Sequence, residues 1–125
     1  MIVDDEEQLT RLVRMVLGQT GRYEVREVNV STKAVSIAKE FRPDVILLDV
    51  VMPGADGGEV ACSLKAHNET KDIPFVFVTS TISRADTNNL PYRSGGHLFL
   101  CKPVSGPVLM KVIDDLIAGR DPAGG

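Results

Sequence analysis

Short, continuously apolar runs alternate with amphipathic segments along nearly the whole 125-residue chain. The third, fourth and fifth runs are apolar at consecutive positions, which is typical of strands covered by helices on both faces. The segments between the runs carry apolar residues three and four positions apart, as amphipathic helices do. This alternation predicts an α/β fold with a parallel sheet of five strands. The five runs read MIVDD, YEVREV, DVILLDV, PFVFVTS and HLFLCK in chain order.

Four amphipathic segments are predicted as helices. The first places five apolar side chains on one face, and the last has a wide apolar face with Pro107 at its start, where proline is well tolerated. The second closes before Pro43, because the residue before a proline disfavours the helical conformation. The four segments cover residues 6–19, 31–41, 59–68 and 107–119.

Length, composition and charge exclude several classes of protein. The length suits one domain with its own core, here residues 1–118, and the glycine-rich stretch 119–125 is expected to be a flexible C-terminal tail. The net charge of −3, without a basic block, argues against direct binding of nucleic acid. No apolar run approaches the ~18 residues of a membrane span, and the acidic start lacks the basic region of a signal peptide. We therefore expect a cytoplasmic protein with no membrane contact.

Polar side chains follow four of the five predicted strands, at the point where each strand ends. In a parallel sheet the carboxyl ends of the strands meet at one edge, which is where ligands bind in such folds. We therefore expect these side chains to lie close together. They are Asp4 and Asp5 in the first run, Asp49 in the third, Thr79 and Ser80 in the fourth, and Lys102 in the fifth.

This set of side chains suits phosphoryl chemistry. Three close carboxylates repel one another, and a hard divalent cation such as Mg²⁺ relieves the repulsion. Asp49 lies within an apolar run, where a carboxylate is costly unless it is paired, and beside a metal it can act as a nucleophile toward phosphorus. A lysine and a hydroxyl would then stabilise the transferred oxygens. The alternative is that Asp4 and Asp5 only cap the first helix and Lys102 only neutralises Asp49.

Four short motifs, in order, carry a resemblance to a known family. They are VDDEE at the first strand, DVILLDVVMPGADG at the third, VTS at the fourth and LCKP at the fifth. With these motifs the chain resembles the receiver domain of two-component response regulators over residues 2–118. The resemblance implies a flavodoxin-like fold with strand order 2-1-3-4-5 and helices on both faces.

The resemblance also assigns roles at the acidic site. It makes Asp49 the phosphoacceptor for a histidine kinase or a phosphotransfer protein. Asp5 and Asp49 would ligate Mg²⁺ through their side chains, Asp4 would act largely through water, and the Val51 carbonyl would complete the protein ligands. A protein effector or an output domain would receive the signal, and the chain would not be a turnover enzyme.

The resemblance assigns further residues to the phosphoryl group and to the switch. Thr79 would hydrogen-bond the phosphoryl oxygens and Lys102 would pair with them. Ser80, which stands where the family commonly has alanine, belongs to the same phosphoryl-binding group. Phe99 would be the aromatic switch residue, and Pro103 would follow a cis peptide bond.

One region departs from the family pattern. Residues 83–96 stand where the family has a helix of its output face. Asn88 and Asn89 have low helix propensity, and Pro91 would interrupt the helical hydrogen bonds. We therefore expect an unusual partner surface there.

Two other kinds of protein share parts of this pattern. One is a Mg²⁺-dependent aspartyl-phosphate hydrolase of the haloacid-dehalogenase type, which needs a second acid two residues after the nucleophile, where this chain has Val51. The other is a degenerate receiver or a flavodoxin-like binding module. The sequence contains no GxGxxG and no GxxxxGK[ST] motif, so it gives no support for nucleotide binding.

Overall fold

The structure, a computed structural model, describes residues 1–80 and 90–124. Within these residues six strands form one sheet, and four α-helices pack against it. The strands are β1 (Ile2–Val3), β2 (Glu27–Val28), β3 (Ile46–Asp49), β4 (Phe75–Thr79), β5 (Tyr92–Ser94) and β6 (His97–Cys101). The helices are α1 (Glu7–Gly18), α2 (Ala34–Phe41), α3 (Gly57–Lys65) and α4 (Gly106–Ile117), and a short 3₁₀ turn, Ser31–Lys33, precedes α2.

The strand order is β2-β1-β3-β4-β6-β5. The first five strands in this order are parallel, and their arrangement is the flavodoxin-like order predicted from the sequence. The predicted count of five strands is wrong, because β5 adds a sixth, antiparallel strand at the edge beside β6.

A two-residue hairpin explains this extra strand. Ser94 pairs with His97, and the intervening Gly95 and Gly96 have φ angles of 57° and 82°. Glycine adopts such positive angles without strain, which makes a glycine pair a common hairpin turn. The pair was the available sequence signal for the hairpin. The sequence analysis treated the region only as a poor helix, and residues 83–89, on which most of that expectation rests, lie outside the described residues.

The remaining differences from the predicted elements are at their ends. β2 has two residues instead of the predicted six, because it is an edge strand and its neighbour β1 is itself only two residues long. α3 begins at Gly57, earlier than predicted, because Asp56 forms a capping box with Glu59. In that box the Asp56 carboxylate accepts from the Glu59 N–H and the Glu59 carboxylate accepts from the Asp56 N–H.

The core lies in two layers, one on each face of the sheet. Alternate residues of β3 point to opposite faces: Ile46 and Leu48 pack in the layer with α2 and α3, and Leu47 packs in the layer with α1 and α4. Each such buried aliphatic side chain contributes about 1.5–3 kcal/mol. Burial on both faces accounts for the continuous apolar runs and brings the carboxyl ends of β1, β3, β4 and β6 to one edge.

The residues after α4 contact the rest of the domain through ion pairs and through Ala123, which packs against the core layer with α1 and α4. The Arg120 guanidinium pairs with Asp115 at 2.9 Å, and Asp121 pairs with Arg93 of β5 at 3.2 Å. The domain boundary at residue 118 and the flexibility of the tail stay predictions.

Candidate functional site

Three carboxylates converge at the carboxyl edge of the sheet. Asp4 and Asp5 follow β1 directly, and Asp49 is the last residue of the neighbouring β3. One oxygen from each of the three carboxylates lies within 4.8 Å of the chosen oxygens of the other two. Asp4 and Asp49 are buried and Asp5 is exposed, so the cluster opens to solvent on the side of Asp5.

Lys102 bridges the two buried carboxylates. Its Nζ lies 2.9 Å from Asp4 Oδ2 and 3.3 Å from Asp49 Oδ1. The other oxygen of Asp4 accepts a hydrogen bond from the Glu6 N–H at 2.9 Å. The carboxylates and the ammonium together hold a formal excess of two negative charges, which a divalent cation would balance.

The surroundings of this cluster shift two pKa values. Burial raises the pKa of Asp49 above its ordinary value of 3.8, the nearby Asp4 charge raises it further, and Lys102 offsets part of the rise. Burial by itself would lower the pKa of Lys102. This effect is outweighed by the hydrogen bond to Asp4 and by the charges of Asp4 and Asp49, so the pKa of Lys102 is raised above its ordinary value of 10.5. The lysine is therefore fully charged at neutral pH.

Thr79 ends β4 beside this cluster. Its side chain is buried, and its carbonyl accepts the Lys102 N–H at 2.8 Å, which aligns the ends of β4 and β6. Ser80 follows it and is exposed. The structure thus brings Asp4, Asp49 and Lys102 into direct contact, with Thr79 at the adjacent strand end.

The remaining predicted residues lie around this centre. Val51 follows the end of β3 and is 66% exposed. Phe99 lies in β6 between two rings: Phe77, at a centroid distance of 5.2 Å, and Tyr92, stacked at 5.5 Å. The peptide bond between Lys102 and Pro103 is cis.

Gly57 is a supporting residue that the sequence analysis did not single out. A Cβ on Gly57 would lie 2.3 Å from the Asp49 carbonyl oxygen, and the Gly57 N–H donates to the Val50 carbonyl at 2.8 Å. The start of α3 therefore packs directly on the backbone that carries the Asp49 carboxylate. The sequence showed only two adjacent glycines at a helix start, which by themselves indicate a turn.

The sequence of this chain also matches a known family. The family described as the response regulator receiver domain matches residues 1–114. The chain belongs to the response regulator receiver domain family. Phosphoryl acceptance within two-component signalling is the general function of receiver domains, which act between histidine kinases and downstream effectors.

Known relatives of this receiver domain are similar along nearly their whole length. It is 34% identical to the polar-differentiation response regulator DivK of Brucella anthropi over 114 residues, which are 90% of each chain. Among solved structures it resembles a response regulator from Chloroflexus aurantiacus, with a TM-score of 0.77, 26% identity and 94% of both chains covered. It also resembles the receiver domain of a histidine kinase from Syntrophus aciditrophicus, with a TM-score of 0.76, 29% identity and coverage of 94% of this chain and 88% of that one.

The donor set of this receiver domain fits the cation that receiver domains generally bind. All three side chains in the cluster are carboxylates, and oxygen ligands suit Mg²⁺. Asp5 gives the cluster an exposed side, as a cation that keeps several waters requires. Within the described residues, none of the helices combines the length and hydrophobicity of a membrane span.

Proposed function

We propose that this receiver domain accepts a phosphoryl group on Asp49 in a Mg²⁺-dependent reaction and signals through a conformational change. The observation that carries the proposal is the bridge that Lys102 makes between Asp4 and Asp49 inside a close group of three carboxylates. A nucleophile, an acidic metal site and a cation for the transferred oxygens then lie at one edge of the sheet.

In this mechanism Asp49 supplies an oxygen nucleophile. Its bond to phosphorus forms as the bond between phosphorus and the donor atom breaks, and the imidazole of a phosphohistidine leaves and takes up a proton. Lys102, held by Asp4 and Asp49, supplies positive charge beside the transferred oxygens, and Thr79 supplies a hydroxyl.

Asp5, Asp49 and the Val51 carbonyl would hold Mg²⁺ directly, and Asp4 would act through water. Bound there, the cation would neutralise charge on the phosphoryl oxygens. The close approach of Gly57 to the Asp49 carbonyl fixes the backbone from which two of these ligands project. These assignments are consistent with the oxygen-only chemistry of the cluster.

The donor would be a histidine kinase or a phosphotransfer protein, and a protein effector or an output domain would receive the signal. The domain would undergo phosphorylation rather than catalyse turnover of a substrate. Phe99 supports the proposed switch because its ring lies between Phe77 of β4 and Tyr92 of β5, so a shift at the end of β4 reaches the sheet edge. The cytoplasmic location stays a prediction.

The experiment is intact-protein mass spectrometry after incubation with acetyl phosphate. With Mg²⁺ the protein should gain one phosphoryl group, which hydroxylamine removes, and with a metal chelator it should gain none. Asp49→Asn should abolish the gain, whereas Asp44→Asn, an exposed aspartate five residues earlier, should not change it.

The other functions give different results in the same assay. A hydrolase would release phosphate from acetyl phosphate continuously, without accumulating the modified protein. A degenerate receiver would neither gain the group nor release phosphate. A gain that persists in Asp49→Asn would contradict the assignment of the phosphoacceptor.

A further inference from the structure

The segment that connects β2 to the 3₁₀ turn, residues 29–31, contacts both loops of the acidic site. Asn29 bonds to the turn that carries Asp4 and Asp5. Ser31 bonds to the loop that follows Asp49. The sequence separations are 25 residues for the first contact and 22 and 24 for the second, so no local pattern in the sequence reveals them.

The Asn29 side chain is fixed by two hydrogen bonds. Its Nδ2 donates to the Asp4 carbonyl at 2.8 Å and to Thr10 Oγ1 at 2.9 Å. A carbonyl can only accept, so the nitrogen of the amide must face Asp4. Thr10 is fully buried in α1, and its hydroxyl donates to Glu27 Oε1 at 2.8 Å. A partly buried network therefore holds the backbone of Asp4, while Lys102 contacts its carboxylate.

The Ser31 hydroxyl both donates and accepts a hydrogen bond. Its Oγ donates to the Pro53 carbonyl at 2.8 Å and accepts from the Ala55 N–H at 3.0 Å. Between these two residues Gly54 turns the chain with a φ of 87°, and a Cβ there would lie 3.4 Å from Ser31 Oγ. Ser31 is only 4% exposed, so water does not readily replace these bonds. The loop after Asp49, from which the Val51 carbonyl projects, is held at its far end.

We propose that Asn29 and Ser31 are positioning residues that together hold the Asp4–Asp5 turn and the loop after Asp49 at the separation that Mg²⁺ binding requires. This inference rests on the proposed function. Neither residue touches the metal or the phosphoryl group. They act through the Asp4 backbone and through the Pro53–Ala55 turn, as supporting hydrogen bonds orient ligands in other metal sites. Because one short segment makes both attachments, release of either end removes the link that this segment forms between the two loops.

The test compares Mg²⁺ affinity with stability. Isothermal titration calorimetry would measure the Mg²⁺ dissociation constant of the parent, Asn29→Ala, Ser31→Ala and the double variant. Asn68→Ala and Ser36→Ala, which remove the same groups at exposed positions, serve as matched controls. Melting temperatures in a metal chelator give the stability of each protein. Thr10→Val removes the acceptor that orients Asn29 and replaces Asn29→Ala if that variant does not fold.

We expect each single variant to weaken Mg²⁺ binding by about tenfold and the controls to bind as the parent does. The double variant should also lose about tenfold in Mg²⁺ affinity. Both substitutions break the same link between the loops, so their effects do not add. At saturating Mg²⁺ the variants should regain the parent's rate of phosphorylation by acetyl phosphate.

Four results would overturn the proposal. If the melting temperature falls and the Mg²⁺ affinity does not, the two residues are only structural. If the double variant loses about a hundredfold, the two attachments are independent. A parent protein that binds no Mg²⁺ overturns the proposed function and this inference together, whereas variants that match a Mg²⁺-binding parent overturn this inference alone.

Discussion

At the scale of single residues, Lys102 links the two buried carboxylates of the site. Its ammonium is close to Asp4 and Asp49 at once, and each carboxylate is almost wholly buried. Among the residues that the structure describes, it is the cation that forms ion pairs with both. A bound metal ion would neutralise the same carboxylates. The lysine and the metal would therefore compete for these carboxylates, although both would stabilise the phosphoryl oxygens.

This competition predicts the behaviour of Lys102→Met. Loss of the ammonium leaves two buried carboxylates without their partner and should cost about 3 kcal/mol of unfolding free energy in a metal chelator. Mg²⁺ should bind more tightly to this variant than to the parent, because the competing charge is gone. Urea unfolding with and without Mg²⁺ measures both effects, with Lys71→Met, at an exposed position, as the control. Equal stabilisation of parent and variant by Mg²⁺ would contradict this account.

The raised pKa of Asp49 predicts a pH dependence of stability. Burial first, and then the charge of Asp4, raise the pKa in the folded state above the value of 3.8. At pH values between the unfolded and the folded pKa of Asp49, the native protein binds more protons than the unfolded chain. Its stability therefore falls as the pH rises through this range. In a metal chelator, the parent should lose stability relative to Asp49→Asn as the pH rises above about 4, the ordinary range of an aspartate, because only the parent has this carboxyl group. A pH series of urea midpoints for both proteins checks this, and a difference that does not vary with pH would be the contrary result.

Among the elements, the junction of β3 with α3 sets the position of the nucleophile. Gly57 begins α3, and no side chain fits between it and the Asp49 carbonyl. The close contact allows the first turn of α3 to hold the end of β3 through the bond from the Gly57 N–H to the Val50 carbonyl.

Gly57→Ala should therefore be destabilising and should disturb the site. The added methyl would force the backbone apart and should cost about 1–3 kcal/mol, with a lower rate of phosphorylation by acetyl phosphate. Gly18→Ala is the matched control, because nothing lies within 4 Å of a Cβ there and alanine favours a helix. Thermal unfolding of both variants checks the prediction, which fails if Gly57→Ala is as stable as Gly18→Ala.

Elements with strong periodic patterns could be predicted from the sequence, and elements that depend on distant partners could not. β3 and β4 were visible as continuous apolar runs because both their faces are buried. β5 has no such pattern, because only one of its three residues is even partly buried, and it exists through pairing with β6. The length of β2 was misjudged because it depends on the length of its neighbour β1.

At the scale of the whole molecule, the sequence also predicted which side chains the fold brings together. Asp4, Asp49 and Lys102 stand at strand ends, and a parallel sheet necessarily places such ends at one edge. The supporting contacts of Asn29 and Ser31 could not be predicted in this way. They depend on how two loops pack against the β2–α2 connection, and loop packing has no periodic signature in sequence.

Because the acidic site exists only in the folded chain, metal binding should stabilise the whole domain. Mg²⁺ at about 100 times its dissociation constant should add about 2.7 kcal/mol to the free energy of unfolding. Asp5→Asn should reduce this increment, because one oxygen ligand loses its charge. Urea unfolding across a Mg²⁺ series measures the increment, and an unfolding midpoint that Mg²⁺ does not move would be evidence against the metal site.

The most direct test of the central claim is to locate the modified residue chemically. Borohydride reduces an aspartyl phosphate to homoserine, which marks the position of the acyl phosphate in a peptide map. After incubation with acetyl phosphate and Mg²⁺, reduction should convert residue 49, and only that residue, to homoserine in the peptide that contains β3. Homoserine at Asp4, Asp5 or any other aspartate, with residue 49 unchanged, would contradict the assignment of Asp49 as the phosphoacceptor.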